Sequence, residues 1–178
     1  VKGPGIHFFD AIERELGTLD IVAEDLGVIT NDVERLRDDC GFPGMKIIHF
    51  MLAPNESGRV GFTAPENSIV YTGTHDNNTT VGWFMRDIDE VLRETLANLT
   101  GTTSDRPKTI CKRLIKMAYA SRARMAIIPM QDLLALDERA RMNTPGTVGI
   151  NWRWSLKKDY LLQLDPQKLR ALCIQYHR

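Results

Sequence analysis

Short apolar runs rich in branched residues alternate along the chain with stretches of helical periodicity. Four such runs cover residues 19–23, 46–51, 69–72 and 126–130. None of them alternates cleanly between apolar and polar residues, which is typical of strands buried on both faces of a parallel sheet. The pattern therefore predicts four parallel strands.

Helices are predicted between and around these runs, where apolar residues recur every three to four positions. The predicted helices cover residues 7–16, 31–39, 81–99, 107–123 and 166–176. The predicted order is αβαβαβ, then a helical insertion made of the third and fourth helices, then βα. This order indicates an α/β fold.

The spacing of the first three runs suggests a repeating unit. They begin about 23 to 27 residues apart, which is the size of one βα unit. A (β/α)₈ barrel is built from such units, but it needs eight strands and typically about 250 residues. The 178 residues here therefore predict either a small open α/β sheet or about half of a barrel.

Composition narrows the class of protein and its partners. The chain carries 23 Lys and Arg residues against 23 Asp and Glu residues, so it has no net charge that would attract nucleic acid or an anionic membrane. Its cysteines, Cys40, Cys111 and Cys173, form no C-x-x-C pair, which favours a reducing compartment. No apolar run approaches the roughly 18 to 20 residues of a membrane span. We expect a soluble, cytoplasmic protein.

Acidic residues follow two of the predicted strands. Glu24 and Asp25 come directly after the first run, and His75 and Asp76 follow the third. Because the C-terminal ends of parallel strands converge at one mouth, Glu24 and Asp76 are expected to face one substrate. An equally open alternative is that both acids cap helices or form buried salt bridges.

Carboxyl groups at one mouth suit the retaining cleavage of glycosides. That reaction uses one carboxyl as proton donor and another as nucleophile, about 5 Å apart, and a third acid nearby can hold sugar hydroxyls. His75 is either a hydrogen-bond donor to a hydroxyl of the same sugar ring or a structural donor. The histidines of the chain do not have the spacing of metal ligands, so no metal site is predicted.

Residues near the end of the chain offer further candidates for the same mouth. Trp152 and Trp154 could form a stacking platform for sugar rings or complete the core. Arg139, Arg141 and Asn143 follow the last predicted strand and either reach the mouth or cover it. Both alternatives stay open at the level of the sequence.

Several longer motifs carry a resemblance to a known family. They are IVAEDLGVIT at 21–30, GFPGMK at 41–46, YTGTHDN at 71–77, RMNTPGT at 141–147 and NW at 151–152. In this order they resemble the consecutive blocks and the C-terminal signature of the 4-alpha-glucanotransferases, also called amylomaltases or disproportionating enzymes, in glycoside hydrolase family 77. The resemblance covers nearly the whole chain, from about Gly3 to Trp154.

The resemblance implies the C-terminal portion, about four βα units, of a (β/α)₈ TIM barrel of the α-amylase superfamily. It implies an enzyme without an organic cofactor that transfers α-1,4-glucan segments to another glucan or to glucose by retaining double displacement. Its expected partners are maltooligosaccharides, starch or glycogen, together with the missing N-terminal half of the barrel. Residues 1–178 would then be one partial catalytic domain.

The family's motifs also imply roles for individual residues. Glu24 matches the general acid/base and Asp76 matches the acid that holds the substrate and stabilises the transition state. Asp25, His75 and Asn143 match substrate contacts. The nucleophilic aspartate belongs to an Arg-x-Asp-His block upstream of these motifs and is not in this chain. Burial beside Asp76 is expected to raise the pKa of Glu24, so that it can donate a proton at neutral pH.

The sequence departs from the family pattern at two positions, and two other functions remain possible for it. His49 stands where the family usually has glutamine and Asn78 where it usually has aspartate. Both are expected near the mouth, where they would alter subsite preference. One rival function is an α-glucan hydrolase of the same superfamily, and the other is an inactive half-barrel that only binds glucan.

Overall fold

The computed structural model describes residues 3–54 and 60–178. Its α-helices are α1 Ile6–Leu16, α2 Asn31–Asp39, α3 Ile48–Met51, α4 Thr80–Gly82, α5 Glu90–Leu99, α6 Pro107–Ala120, α7 Met130–Leu133, α8 Lys158–Leu161 and α9 Pro166–Gln175. A π-helical turn covers Trp83–Asp87 and a 3₁₀ turn covers Glu138–Ala140. The strands are β1 Gly44–Ile47, β2 Ser68–Tyr71 and β3 Met125–Ile127.

The strands form one parallel sheet in the order β1-β2-β3. Gly44 of β1 pairs with Ser68 of β2, and Ile69 of β2 pairs with Met125 of β3. All the C-terminal ends therefore lie along one edge of the sheet, where β1 leads into α3, β2 into a loop and β3 towards α7. The prediction of an α/β fold with parallel strands is confirmed.

The prediction of a strand over residues 19–23 is wrong. Only Ala23 joins the sheet, through a parallel bridge to Gly44 in which the Ala23 N–H donates to the Pro43 carbonyl at 2.9 Å. A strand exists only where a neighbouring backbone supplies its hydrogen bonds. Residues 3–54 and 60–178 offer positions 19–22 no such neighbour, so these positions stay outside the sheet.

Other predicted elements are shorter or divided. The second and fourth runs have strand geometry only in their first part, and their last residues turn into α3 and α7, because a short apolar run fits a helical turn as well as a strand. The predicted helix 81–99 breaks at Ile88 and Asp89. There the Asp89 carboxylate caps α5 by accepting the Leu92 N–H at 2.8 Å.

The core lies on one face of the sheet. Helices α3, α5 and α6 and the π-helical turn pack there against β2. The buried members of this cluster are Ile48, Leu52, Ala64, Val70, Trp83, Phe84, Leu96, Ala97, Ile110, Leu114, Ala118 and Ala123. Met125 and Ile127 on β3 are 49% and 40% exposed, and neither α1 nor α2 contains a buried residue. In the described part of the chain the face that carries Val70 is packed against helices, whereas the opposite face is open along β3 and buried at Ile47 and Ile69.

Two observations concern the predicted compartment. No helix in the described ranges is long and apolar enough to cross a membrane. The thiols of Cys40, Cys111 and Cys173 are free. A reducing compartment for this chain stays a prediction.

Candidate active site

A cleft of about 780 Å³ opens at the edge of the sheet where the strands end. It is lined by Glu24, Leu26, Gly27, Met45, Phe50, Tyr71, Gly73, Thr74, His75, Asp76, Asn77, Ile127 and Pro129. The structure thus brings Glu24, His75 and Asp76 together in one cavity. They reach it from two separate segments of the chain.

Asp76 is presented by the loop that leaves β2. Within this loop the Asn77 Oδ1 atom accepts hydrogen bonds from the N–H and the hydroxyl of Thr74, both at 2.8 Å. The Asn77 N–H in turn donates to the Thr74 carbonyl at 3.2 Å. These bonds close a tight turn from which His75 and Asp76 project into the cleft.

The segment after the 3₁₀ turn holds Asp76 from the other side. The Asn143 Nδ2 group donates to Asp76 Oδ1 at 2.6 Å, and Arg141 Nη2 donates to the Asp76 carbonyl at 2.8 Å. The Asn143 N–H also donates to the His75 carbonyl at 3.0 Å. Arg141 and Asn143 therefore contact the residues of the mouth without lining the cleft, whereas Arg139 is exposed and pairs with Asp137.

His75 lies between Asp76 and an exposed indole ring. Its Nε2 atom is 3.4 Å from Asp76 Oδ1, and its ring centroid is 5.1 Å from that of Trp152. Trp152 is 61% exposed and has a φ of 62°, a left-handed conformation that costs free energy for a residue other than glycine. Trp154 instead stacks on Tyr160, with ring centroids 6.5 Å apart. Of the two predicted platform residues, it is Trp152 that stands beside His75.

Glu24 follows the bridge at Ala23 and enters the cleft from the outer side of β1. Its side chain is exposed and forms no hydrogen bond or ion pair within residues 3–54 and 60–178. The N-cap of the helix that follows Glu24 is Thr30, and that of α4 is Thr79, so neither acid of the cleft caps the next helix. The burial expected around Glu24 is not provided by the described residues.

Asp25 points into the fold rather than into the cleft, and its side chain is 4% exposed. Its Oδ1 atom accepts the Met45 N–H at 2.6 Å, and its Oδ2 atom accepts from Arg37 Nη1 at 2.5 Å and lies 3.4 Å from Lys46 Nζ. Burial raises the pKa of Asp25, but these hydrogen bonds and positive charges outweigh it and bring the pKa below its ordinary value of 3.8. In the described structure Asp25 joins α2 to β1, and its role as a substrate contact stays a prediction.

The two positions that depart from the resembled pattern are buried behind the cleft. His49 Nε2 lies 3.0 Å from Thr80 Oγ1, and the ring stacks on Trp83 at 4.4 Å. Burial lowers the pKa of His49 to about 3, so the ring is neutral at physiological pH. Asn78 Nδ2 donates to both carboxylate oxygens of Asp87 at 3.2 Å. Both residues thus lie near the mouth, as expected, but in the packing behind it, and their effect on subsite preference stays a prediction.

Sequence reasoning missed one buried acid in this region. Asp132 in α7 is 1% exposed and accepts hydrogen bonds from Thr72 and Thr80, on either side of the loop that carries Asp76. Its signal in the sequence is a carboxyl group just after the fourth predicted strand, the same feature that marks Glu24 and Asp76. An acid in that place, surrounded by apolar residues, has to find partners inside the fold.

Two carboxylates of this region, unlike that of Glu24, have protein donors as partners. Asp25 has Arg37 and Lys46, and Asp76 has Asn143. Over residues 3–54 and 60–178, no group of three or more His, Cys, Asp or Glu residues could hold a metal ion. What the cleft offers chemically is carboxyl groups, hydrogen-bond donors and an exposed aromatic ring.

The amino-acid sequence of the chain matches a known protein family. A family model described as 4-alpha-glucanotransferase matches residues 1–161. The chain belongs to the 4-alpha-glucanotransferase family. The resemblance carried by the motifs at 21–30, 41–46 and 71–77 is thereby confirmed.

Curated 4-alpha-glucanotransferases match this family member along nearly its whole length. That of Streptococcus pneumoniae serotype 4 is 46% identical over 179 residues, which cover 100% of this chain and 35% of the relative. The chloroplastic/amyloplastic one of Solanum tuberosum is 40% identical over 181 residues, which cover 99% of this chain and 31% of the relative. The chain therefore spans about a third of the length of these curated relatives.

A solved structure is similar to this 4-alpha-glucanotransferase family member over the whole chain. It is the amylomaltase from Streptococcus agalactiae in complex with acarbose, with a TM-score of 0.86 and 35% sequence identity. The match covers 100% of this chain and 36% of that chain. The α/β arrangement described above is thus similar to about a third of an amylomaltase.

Proposed function

We propose that the protein to which this chain belongs is a 4-alpha-glucanotransferase, which transfers segments of α-1,4-glucan to another glucan or to glucose. The observation that carries the proposal is that Glu24 and Asp76 line one cleft at the C-terminal edge of the parallel sheet. Carboxyl groups that share an open cleft suit the acid/base-assisted cleavage of a glycosidic bond. The family of this chain and the names of its relatives support the substrate class.

The chain itself is the C-terminal portion, about four βα units, of a (β/α)₈ barrel. The three strands and the bridge at Ala23 supply four neighbouring positions of a parallel sheet, which supports this assignment. So do the exposed side chains of Met125 and Ile127, which other strands would cover in a closed barrel. Residues 1–178 then form one partial catalytic domain that the N-terminal half of the barrel completes.

Glu24 acts as the general acid and base. In the first step it donates its proton to the glycosidic oxygen while the bond from that oxygen to the anomeric carbon breaks. In the second step it takes the proton of the acceptor hydroxyl that attacks the covalent glycosyl-enzyme. Its exposed position in the open cleft leaves room for the donor and then the acceptor. The rest of the barrel closes the cleft around Glu24 in the complete enzyme.

Asp76 holds the donor sugar and stabilises the charge that develops on it. Asn143 and His75 both approach Oδ1, which leaves Oδ2 without a partner among the described residues and able to accept a sugar hydroxyl. A fixed negative charge beside the ring stabilises an oxocarbenium-ion-like transition state. Trp152 offers an apolar face on which a neighbouring sugar ring can stack.

The nucleophile belongs to the N-terminal half of the barrel. Its carboxylate attacks the anomeric carbon as Glu24 protonates the leaving oxygen, and the resulting ester is the intermediate that passes to the acceptor. In the described lining of the cleft the carboxyl groups are those of Glu24 and Asp76, and both already have other roles. Complete catalysis therefore needs both halves of the barrel.

Disproportionation of maltotriose by the full-length protein tests the proposal. Transfer converts two maltotriose molecules into glucose and maltopentaose and leaves the number of reducing ends unchanged, whereas hydrolysis increases it. We expect longer oligosaccharides at a constant number of reducing ends. Rising reducing ends without longer products would favour the α-glucan hydrolase, and binding of maltotriose without either reaction would favour a glucan-binding protein.

A further inference from the structure

A buried carboxylate lies beneath the loop that carries Asp76. Asp132 Oδ1 accepts the Thr80 N–H at 2.7 Å, and Oδ2 accepts the hydroxyls of Thr72 at 2.5 Å and of Thr80 at 2.8 Å. Burial raises the pKa of Asp132, and the hydrogen bonds act against this shift. Within residues 3–54 and 60–178 the carboxylate has no ion pair, so hydrogen-bond donors alone hold it.

The two threonines stand at the two ends of the loop 73–79. Thr72 directly follows β2, and Thr80 is the first residue of α4. The position of His75 and Asp76 relative to the sheet depends on these two points. A single side chain of α7 therefore ties both ends of the loop together.

His49 extends this arrangement by one further hydrogen bond. The Thr80 hydroxyl has one hydrogen and donates it to Asp132, so its oxygen accepts from the Nε2–H of His49 at 3.0 Å. This fixes the neutral tautomer of the ring, with the buried Nδ1 atom unprotonated and without a partner in the described structure. That edge of the ring faces Gly73, where a Cβ atom would lie 3.2 Å from Nδ1. The first residue of the loop is thus packed against the same network.

A buried carboxylate is a costly way to join two segments if stability alone is at stake, because it loses its hydration. An apolar side chain of similar size would fill the same space without that cost. Unlike an apolar side chain, the carboxylate makes directional hydrogen bonds. These bonds fix the positions of the Thr72 and Thr80 hydroxyls and of the Thr80 N–H group. Such fixing matters most in an active site, where a displacement of about 1 Å can lower the rate roughly 100-fold.

We infer that Asp132 is a positioning residue for the transfer reaction, which holds Thr72 and Thr80 so that the loop 73–79 presents Asp76 correctly to the sugar. Asp132 is 1% exposed and both of its carboxylate oxygens are occupied by Thr72 and Thr80, so it acts through the loop and not by contact with the substrate. The inference rests on the proposed function of Asp76. The hydrogen bonds of Asp132 then serve to orient the loop and do not merely fill the core.

The matched variants Thr72→Val and Thr72→Ser, made in the full-length protein, separate positioning from packing. Valine has the shape of threonine without its hydroxyl, whereas serine keeps the hydroxyl and loses a methyl group. We expect Thr72→Val to lower kcat for maltotriose transfer by about 10-fold or more, with KM changed less than about 3-fold, and Thr72→Ser to stay near wild type. If Thr72 merely filled space, the serine variant would be the worse of the two.

Asp132→Asn tests whether the effect passes through Asp76. The variant keeps an acceptor for the Thr80 N–H but turns amide hydrogens towards the two hydroxyls, and we expect kcat to fall about 10- to 100-fold. In protein that already carries Asp76→Asn, the further loss should be less than about 2-fold, because there is no carboxylate left to position. Losses that multiply independently would overturn the inference.

Cys111→Ala serves as the control for general damage in the same place. The buried Cys111 thiol donates to the Asp132 carbonyl at 3.3 Å, so its removal disturbs the same residue but not its carboxylate. We expect a lower Tm with an unchanged kcat. Backbone amides of residues 73–79 should exchange hydrogen faster in Asp132→Asn and in Thr72→Val, but not in this control.

The outcomes separate this inference from the proposed function. Unchanged kcat and unchanged hydrogen exchange over 73–79 in both Asp132→Asn and Thr72→Val would overturn the role of Asp132, while transfer by the wild-type protein would leave the proposed function in place. Absence of transfer by the wild-type protein would overturn both. Loss of kcat with faster exchange of the loop supports the inference.

Discussion

The two oxygens of the Asp76 carboxylate differ in their hydrogen-bond partners. Oδ1 is engaged by Asn143 at 2.6 Å and lies 3.4 Å from His75, whereas Oδ2 has no partner in the described part of the chain. The hydrogen bond from Asn143 restrains the rotation of this carboxylate, which in the proposed enzyme is the group that holds the donor sugar. A charge that is already oriented does not have to reorganise in the transition state, which is where such a group contributes most.

Glu24 carries the first prediction. In the full-length protein Glu24→Gln keeps the shape of the side chain but can neither donate nor accept the proton, so transfer from maltotriose should fall about 10²- to 10⁴-fold. With a glucosyl fluoride donor the first step should be partly rescued, because fluoride leaves with little protonation. Initial rates with the two donors are the measurement.

Glu34→Gln is the matched control for this change. Glu34 is an exposed acid on α2 and does not line the cleft, so the same loss of charge there should leave both rates unchanged. Near-normal maltotriose transfer by Glu24→Gln would remove Glu24 from the mechanism.

Asn143 supports a prediction about pH. Asn143→Asp would place a second carboxylate against Asp76 Oδ1, and two acids in hydrogen-bond contact cannot both ionise easily. One pKa of the pair should rise, so the acidic limb of the kcat/KM profile should move to higher pH. Asn143→Ala should lower the rate without moving that limb. Superimposable pH profiles for the two variants would contradict this account.

Among the helices and strands, those held by local hydrogen bonds could be predicted best. The bounds of α2 follow from its own sequence, because a helix satisfies its backbone internally. The segment 19–23 has the composition of a strand, but its pairing depends on a neighbour that the described residues supply only at Ala23. Pairing of this kind has no local signature in a sequence.

The same distinction explains which site residues could be found. Glu24 and Asp76 could be predicted because acids at strand ends share one edge of a sheet. The partners of Asp132 could not, because its hydrogen bonds to Thr72 and Thr80 join residues 60 and 52 positions apart. Asp25 follows the same strand-end rule as Glu24, yet the alternation of side chains turns it the other way, towards α2.

Asp25 joins three segments, and its loss should be visible in stability. The pKa of Asp25 is lower in the fold than its ordinary value of 3.8. Its ionised form therefore stabilises the fold above that value, and this contribution is lost as the pH falls through the lowered pKa. We expect Asp25→Asn to cost about 1 to 3 kcal/mol near pH 7 and the difference from wild type to shrink below about pH 4.

Tm of wild-type and variant full-length protein between pH 3 and pH 8 is the measurement for Asp25. Asp32→Asn is the control, because Asp32 forms an exposed ion pair with Arg35 at 3.0 Å that should add little. If the difference in Tm between Asp25→Asn and wild type did not depend on pH, the charge of Asp25 would not be what stabilises the contact between α2 and β1.

In the described structure one face of the sheet is packed against helices and the other is open along β3. Apolar side chains of Met125, Ile127 and Val22 are exposed, and β3 is an edge of the sheet in the described structure. Open edges and exposed apolar residues favour association with other chains. In the proposed barrel this surface faces the strands and helices of the other half.

The chain produced alone should therefore be inactive and prone to associate. Without the nucleophile of the other half it should release no glucose from maltotriose above a blank without protein. In size-exclusion chromatography with light scattering it should run as a dimer or larger, or show a broad thermal transition. A strict monomer with a sharp melt would instead indicate a self-contained α/β domain.

The full-length protein at the same molar concentration is the reference for both measurements. Glucose released by the isolated chain would contradict the assignment of the nucleophile to the other half. Activity restored by adding the N-terminal half would support it directly.

The single bridge between Ala23 and Gly44 has a consequence for the width of the cleft. It makes the segment before Glu24 the neighbour of β1, and β1 is the neighbour of β2, which leads to Asp76. Adjacent strands lie about 4.8 Å apart, so the segment that ends at Ala23 and strand β2 are separated by roughly 10 Å, and Met45 of the intervening β1 lines the cleft. In the proposed enzyme this spacing of the strands sets the scale of the gap that receives the sugar ring. The loop 73–79 then decides where at the edge of that gap Asp76 stands.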